Sequence, residues 1–244
     1  MLMVDLQPTH SGGEKSPPTD VSQRGFTIVE LMMATIVFSV IMLVAAGAVV
    51  RFTSNFQRAV TATNTQNATR SIIDSISQSV QFGGGDKPTR LTGGGKTGWC
   101  VGYTRYSYVL GKQLTNAEGP TSTRYALVQD STGIGCYGEA QTLSSGTPDG
   151  QELLGEHMRL VKFDITENDS ATGVWDVTIK VVYGENEVLC APVSVPNSCD
   201  TSGSSEVFLN NLTQLKSPDL QCKGGKGTQF CAVSEIKTTV QRRV

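Results

Sequence analysis

The residue with the most chemistry to offer is Glu30, because of where it stands. It is the single charge in Phe26–Val50 (FTIVELMMATIVFSVIMLVAAGAVV), a run of 25 residues. A carboxylate inside an apolar helix is costly and calls for a cationic partner. At about one and a half turns from the start of the run, snorkelling to an interface is the simpler alternative. The second set is six cysteines: Cys100, Cys136, Cys190, Cys199, Cys222 and Cys231. None forms a C-x-x-C pair, which removes the signature of zinc ribbons and thioredoxin-like sites. An even count outside metal spacing reads as disulfides made in an oxidising compartment. Sequence alone leaves the connectivity open; the local pairs Cys100–Cys136, Cys190–Cys199 and Cys222–Cys231 are the expectation. The third set is cationic. Between Lys216 and Val244 the chain carries a net +4, and Lys223, Lys226, Arg242 and Arg243 are candidate contacts for an anionic ligand. Such contacts would be electrostatic and salt-sensitive.

Other arrangements that look like chemistry fail on their context. Gly95-Lys96-Thr97 ends like a phosphate-binding loop, but Arg90 stands where the first glycine is required. Gly133-Ile-Gly135-Cys-Tyr-Gly138 satisfies G-x-G-x-x-G, yet Gly146, Pro148 and Gly150 interrupt the chain where a helix should open. Asp164, Glu167 and Asp169 match no calcium loop and read as a solvated turn. His157 stands beside Glu156, and His10 is the only other histidine. No triad, paired-acid site or metal set emerges, so neither catalysis nor a cofactor is expected.

Composition bounds the class of protein. The chain has 244 residues, 38% hydrophobic, with a net charge of −2. That excludes wholesale disorder and a bulk nucleic-acid binder. Charged residues make up 17% and glycines number 26, which suggests many turns plus one apolar segment.

Residues 1–25 are polar and contain Pro8, Pro17 and Pro18. The apolar run that follows is long enough to cross a bilayer. It is longer than a signal-peptide core, and Arg51 follows it directly. Residues 51–80 contain neither proline nor glycine, and Phe52, Phe56, Val60, Ile72, Ile73, Ile76 and Val80 recur with helical spacing. A single helix from Phe26 to Val80, about 80 Å long, is predicted, ended by the glycines after Phe82. Its first half would be lipid-embedded and its second half packed on a head. Beyond it, Trp99–Leu110, Arg124–Gln129, Met158–Ile165, Trp175–Tyr183 and Phe230–Val240 carry strand formers. Turn-rich stretches such as Glu167–Ser170 separate them. The fold class is therefore α+β: one long helix packed on an antiparallel sheet. The divisions are a leader at 1–25, a transmembrane half at 26–50, an amphipathic half at 51–82, and a disulfide-bearing head at 83–244.

Arg24-Gly25-Phe26-Thr27-Ile28-Val29-Glu30-Leu31 resembles the processing site of type IV pilins and type II secretion pseudopilins: Gly, cleavage, usually Phe, then Glu at the fifth mature position. The leader is longer than in many members that begin with Phe. The resemblance implies cleavage after Gly25 by a prepilin peptidase on the cytoplasmic face and N-methylation of Phe26. It also implies that Glu30 of one subunit neutralises the Phe26 amine of its neighbour. The implied partners are other pilins or pseudopilins, the peptidase and a membrane assembly platform. The implied route is a single-pass protein of the inner membrane with its head outside the cytoplasm, then a filament. Thr63–Phe82, Leu153–Leu154 and the two strand runs after them are similar to J-type pseudopilins and PilW-like minor pilins. With 219 residues after Gly25, this favours a minor subunit near the filament tip. A tip adhesin or DNA receptor using the basic C-terminal stretch is the alternative.

Overall fold

A computed structural model describes residues 25–84, 87–93, 96–114, 125–131, 139–143, 148–169, 173–190, 220–225 and 227–243. The chain divides into two compact units at Val49–Val50. The first contains the start of one helix, α1 (Ile28–Phe82, 55 residues). Every described side chain before Val50 is exposed. Thr35 and Ser39 turn their hydroxyls back to the carbonyls of Met32 and Thr35, at 2.9 and 2.7 Å. These polar groups are thereby satisfied within the helix itself.

The second unit holds the remainder of α1 and the strands. Strands β1 (Thr89–Gly93), β2 (Lys96–Val101), β3 (Thr104–Tyr108), β4 (Leu127–Ser131) and β5 (Gln151–Glu152) form an antiparallel meander in that order. A second sheet has the order β10-β7-β6, from β6 (Met158–Asp169), β7 (Val174–Tyr183) and β10 (Ala232–Gln241). β8 (Leu189–Cys190) and β9 (Gln221–Cys222) form a small third pair. The architecture is α+β, with three sheets among the described residues where the sequence suggested one.

The core follows from alternation on the strands and period on the helix. Trp175, Val177, Ile179 and Val181 of β7 are buried, and Leu160, Phe163 and Ile165 of β6 join them in one cluster. Ile72, Ile73, Ile76 and Val80 bring α1 into the same cluster. Ser75 donates to Gln129 Oε1 at 2.9 Å and Ser79 meets the Tyr106 hydroxyl at 2.9 Å, joining the helix to β4 and β3. The β6–β7 register shifts between Leu160 and Lys162. The residue between them, Val161, joins Val182, Leu189, Leu220 and Cys231 in a smaller cluster.

Four expectations are corrected. The apolar residues of 51–80 do not share one face. Phe52 and Ile72 are twenty residues apart, about 200° round an α-helix. Accordingly Phe52, Phe56 and Val60 are exposed, and the buried stripe begins only at Thr65. Trp99–Leu110 is a hairpin rather than one strand, because Gly102 takes φ +61° and turns the chain. A side chain there would place its Cβ 2.2 Å from the Gly83 carbonyl oxygen. Residues 167–169 belong to β6, with Glu167 opposite Trp175 and Asp169 opposite Val174, so they are strand rather than turn. Finally, Phe230 closes a short 3-10 turn (Thr228–Phe230) and the last strand starts at Ala232.

Cys222 and Cys231 are bonded to each other with Cα atoms 5.7 Å apart. Cys100 and Cys190 are also disulfide-bonded; Cys136 and Cys199 lie outside the described residues. Closing a ten-residue loop removes chain entropy worth about 2.5–3 kcal/mol. The C222S/C231S double variant is therefore expected to lose about that much unfolding free energy in urea titrations of the full chain in detergent.

Candidate functional site

The sequence-predicted processing residues sit at the start of α1. Phe26 is exposed, and a Cβ built on Gly25 meets nothing within 4 Å. Glu30 lies in the first helical turn. Its backbone N–H donates to Thr27 Oγ1 at 3.2 Å, and Leu31 N–H donates to the Thr27 carbonyl at 3.1 Å. Thr27 is therefore the N-cap, and Thr27-Ile-Val-Glu30 has the spacing of a capping box. The carboxylate also stands where the helix macrodipole favours negative charge. Thr27 was missed by sequence reasoning, although Thr three residues before Glu is the signal that finds it. After Glu30 the helix is long and apolar enough to cross a membrane. Ile28–Val50 spans about 34 Å, close to the hydrocarbon thickness of a bilayer.

Residues 21–46 match the family model described as the prokaryotic N-terminal methylation motif. The chain carries a type IV pilin-like prepilin segment. Proteins with this segment are structural rather than catalytic. The match stops within the helix and does not extend to the head. No curated protein and no solved structure matches the chain.

Apart from the prepilin segment, the candidate residues scatter. Lys223 and the Arg242–Arg243 pair lie at opposite ends of β10, because Cys222 is tied to Cys231 just before that strand begins. Ten strand residues span about 33 Å. The basic C-terminal stretch is thus not one patch; Lys226 lies outside the described residues. His157 Nδ1 is 3.0 Å from Glu185 Oε1, and its Nε2 is 3.6 Å from Glu156 Oε1. Glu167 receives Lys87 Nζ at 2.8 Å. Lys96 opens β2, opposite Gly93, and donates to Glu139 at 3.2 Å; Gly95 lies outside the described residues. Residues 133–138 lie outside the described residues. No group of three or more metal-ligating side chains occurs among the described residues. An open groove of about 710 Å³ separates Ser54, Asn55 and Arg58 of α1 from Gly227 and Gln229.

Three charged groups of the head, Glu152, Arg105 and Asp130, serve its own architecture. Glu152 accepts backbone N–H bonds from Ala126, Leu127 and Leu154 at 2.6, 3.1 and 3.0 Å. Burial raises its pKa, against the opposing pull of those donors. Arg105 holds Asp130 through two bonds, Nε–Oδ1 at 3.1 Å and Nη2–Oδ2 at 2.7 Å. Both sets join strands of the five-stranded sheet, and both belong to packing rather than to chemistry on a substrate.

Proposed function

We propose that this chain is a minor pilin or pseudopilin, a non-catalytic subunit of a type IV pilus or secretion pseudopilus. In this reading it inserts once in the inner membrane with the head outside the cytoplasm. It is cut after Gly25, methylated at Phe26, and assembles through α1 into the filament, in the complex that starts the tip. The single observation that carries the reading is the prepilin segment, with Glu30 in the first turn of α1 and no other charge before Arg51.

The physical sequence of events is readable from the residues. Gly25 offers no side chain, so a peptidase can approach the backbone. Cleavage converts the Phe26 nitrogen into an amine two residues outside the first helical position. That amine and Glu30 are opposite charges, and pairing between neighbouring subunits makes burial of both tolerable. The exposed apolar surface of 28–50 would pass from lipid to the helices of other pilins. Disulfides in the head fit folding on the oxidising side of the membrane. The size of the head favours a minor rather than a bulk subunit.

Intact mass and N-terminal peptide mapping of membrane-purified protein test this, with and without a co-expressed prepilin peptidase. The expected product starts at Phe26 and carries one added methyl group. A chain still starting at Met1 beside an active peptidase overturns the reading.

A further inference from the structure

Strand β10 is an edge of the three-stranded sheet, hydrogen-bonded to β7 on one side. Arg242 N–H donates to the Gly173 carbonyl at 3.0 Å, in the same register. Bonded and non-bonded residues alternate along an antiparallel pair. The even-numbered residues of β10 therefore bond to β7, and the N–H and C=O groups of Val233, Glu235, Lys237, Thr239 and Gln241 point away from it. Among the described residues none of these outward groups has a hydrogen-bonded partner. The edge is closed at its two ends. Cys231 N–H donates to the Thr228 carbonyl at 3.3 Å, and Arg243 N–H donates to the Gln81 carbonyl at 3.2 Å.

An open strand edge is a template for another chain, and proteins blunt most of theirs with short strands, prolines or bulges. The other edges of the two larger sheets follow that rule. β1 has 5 residues and β5 has 2, while β6 carries register shifts and is bridged by Gln113. β10 has 10 residues, no proline and an unbroken register against β7. Its core-facing side is also incompletely covered. Ser234 and Val240 are buried, yet Ile236 and Thr238 between them are half-buried. One more strand beside β10 would cover both.

Charge decides what fits there. Glu235 and Lys237 are exposed on the outer side, 3.7 Å from Lys180 and 3.0 Å from Asp176 of β7. Opposite charges directly across a strand pair stabilise it, and like charges oppose it. An antiparallel partner therefore fits with an acid across from Lys237, an apolar residue across from Ile236 and a base across from Glu235. In chain order that is acid–apolar–base. Glu235-Ile-Lys237 has this order itself, but the direction of α1 rules out a second copy. β10 runs beside α1 in the same direction, from the groove that joins Thr228 and Gln229 to Arg58 up to the contact of Arg243 with Gln81. An antiparallel second copy would carry its α1 reversed, which two helices anchored in one membrane cannot do. We propose that the Val233–Gln241 edge of β10 is a docking site for an extended segment of another protein, which adds an antiparallel strand to the sheet through an acid–apolar–base triplet. Main-chain bonds give such strand addition its affinity, and the alternate side chains give it specificity. The site stands on head geometry and on membrane anchoring by α1, and does not depend on the filament reading.

Fluorescence anisotropy of the full chain in phosphatidylcholine nanodiscs tests it. The probe is a dye-labelled peptide with the β10 sequence, AVSEIKTTVQ, which carries no helix and is free to pair antiparallel. It is expected to bind, and a peptide with its Glu and Lys exchanged is expected to bind roughly tenfold more weakly. Lys237→Glu is expected to erase that preference, because each peptide then meets one like and one opposite charge. Thr239→Pro removes an outward N–H while leaving the β7 ladder intact, and is expected to weaken binding roughly tenfold. Unaltered thermal unfolding of each variant excludes misfolding as the cause. Absence of binding, equal binding of the two peptides to the parent chain, or indifference to Thr239→Pro overturns the proposal. Cross-linking of Ile236→Cys copies to each other in native membranes overturns it as well, since the edge would then belong to a second copy.

Discussion

Glu30→Ala is expected to leave the head as stable as in the parent chain and to cut incorporation into filaments at least about tenfold. The first half follows from burial. No side chain of the described residues before Val50 is buried, and α1 contributes to a core only from Thr65 onward. The head's unfolding midpoint therefore has no reason to move. The second half follows from charge. In the filament proposed above, removing Glu30 would leave the Phe26 amine of a neighbour without its partner. An uncompensated buried charge costs several kcal/mol, and about 1.4 kcal/mol already corresponds to tenfold. Glu30 is also placed to serve the helix cap with Thr27, so Glu30→Gln separates the two roles. Glutamine can close a capping box but carries no charge. Immunoblots of sheared filaments against membrane fractions measure incorporation. Failure of both variants supports the charge pair; failure of alanine with normal glutamine assigns Glu30 to the cap alone; normal incorporation of both sinks the idea.

The parts of this molecule that were readable from sequence are those whose signals are local. The absence of proline and glycine from 51–80 and the glycines after Phe82 placed the helix within two residues at each end. Period-two alternation found the pair of long strands, β6 and β7. The failures share a different cause. Phe52 and Ile72 belong to one composition but to opposite faces, and only packing decides which face the head covers. Gly102 sits inside a stretch of strand formers, and its turn is imposed by Gly83, nineteen positions earlier in the chain. Glu167, Asn168 and Asp169 look like a turn, but β7 continues opposite them and keeps them extended. The Arg242–Arg243 pair was legible as basic; the Phe82 ring beside Arg243 comes from the end of α1, and no local pattern announces that meeting. Arg159 was invisible for the same reason. Its acceptors are ordinary polar residues drawn from separate segments.

Arg159→Met is expected to be among the most damaging single changes in the head, costing about 3 kcal/mol or more through orphaned hydrogen-bond acceptors. The side chain is fully buried at 0% exposure. Nη1 donates to Asn186 Oδ1 at 2.6 Å, and Nη2 donates to Gln113 Oε1 at 2.8 Å and to the Gly184 carbonyl at 2.7 Å. Gln113 in turn donates to Glu185 Oε1 at 2.8 Å, which also faces His157. One guanidinium thus ties the segment at Gln113, the start of β6 and the corner after β7. Burial lowers its pKa to about 10, with Glu185 pulling the other way, so it remains a cation at neutral pH. Methionine fills the space but offers no donor, and two buried acceptors, Gln113 and the Gly184 carbonyl, lose their partner together with the half-buried Asn186. Each orphaned group costs about 1–3 kcal/mol, not additively. Lysine keeps the charge but not the planar fork, so Arg159→Lys should fall between the two. For a unit of this size the methionine variant should melt roughly 10 °C lower. Urea unfolding of the full chain in detergent measures the loss directly. Adding Gln113→Leu removes one orphaned acceptor, and if hydrogen bonding is the cause, the double variant recovers part of the loss. A double variant that is worse than the sum of its parts would place the cost in packing instead. Under the proposed function the defect would differ from that of Glu30: the apolar helix would be untouched, but the head would lose a large share of a typical 5–15 kcal/mol, so less folded subunit would be left for a filament.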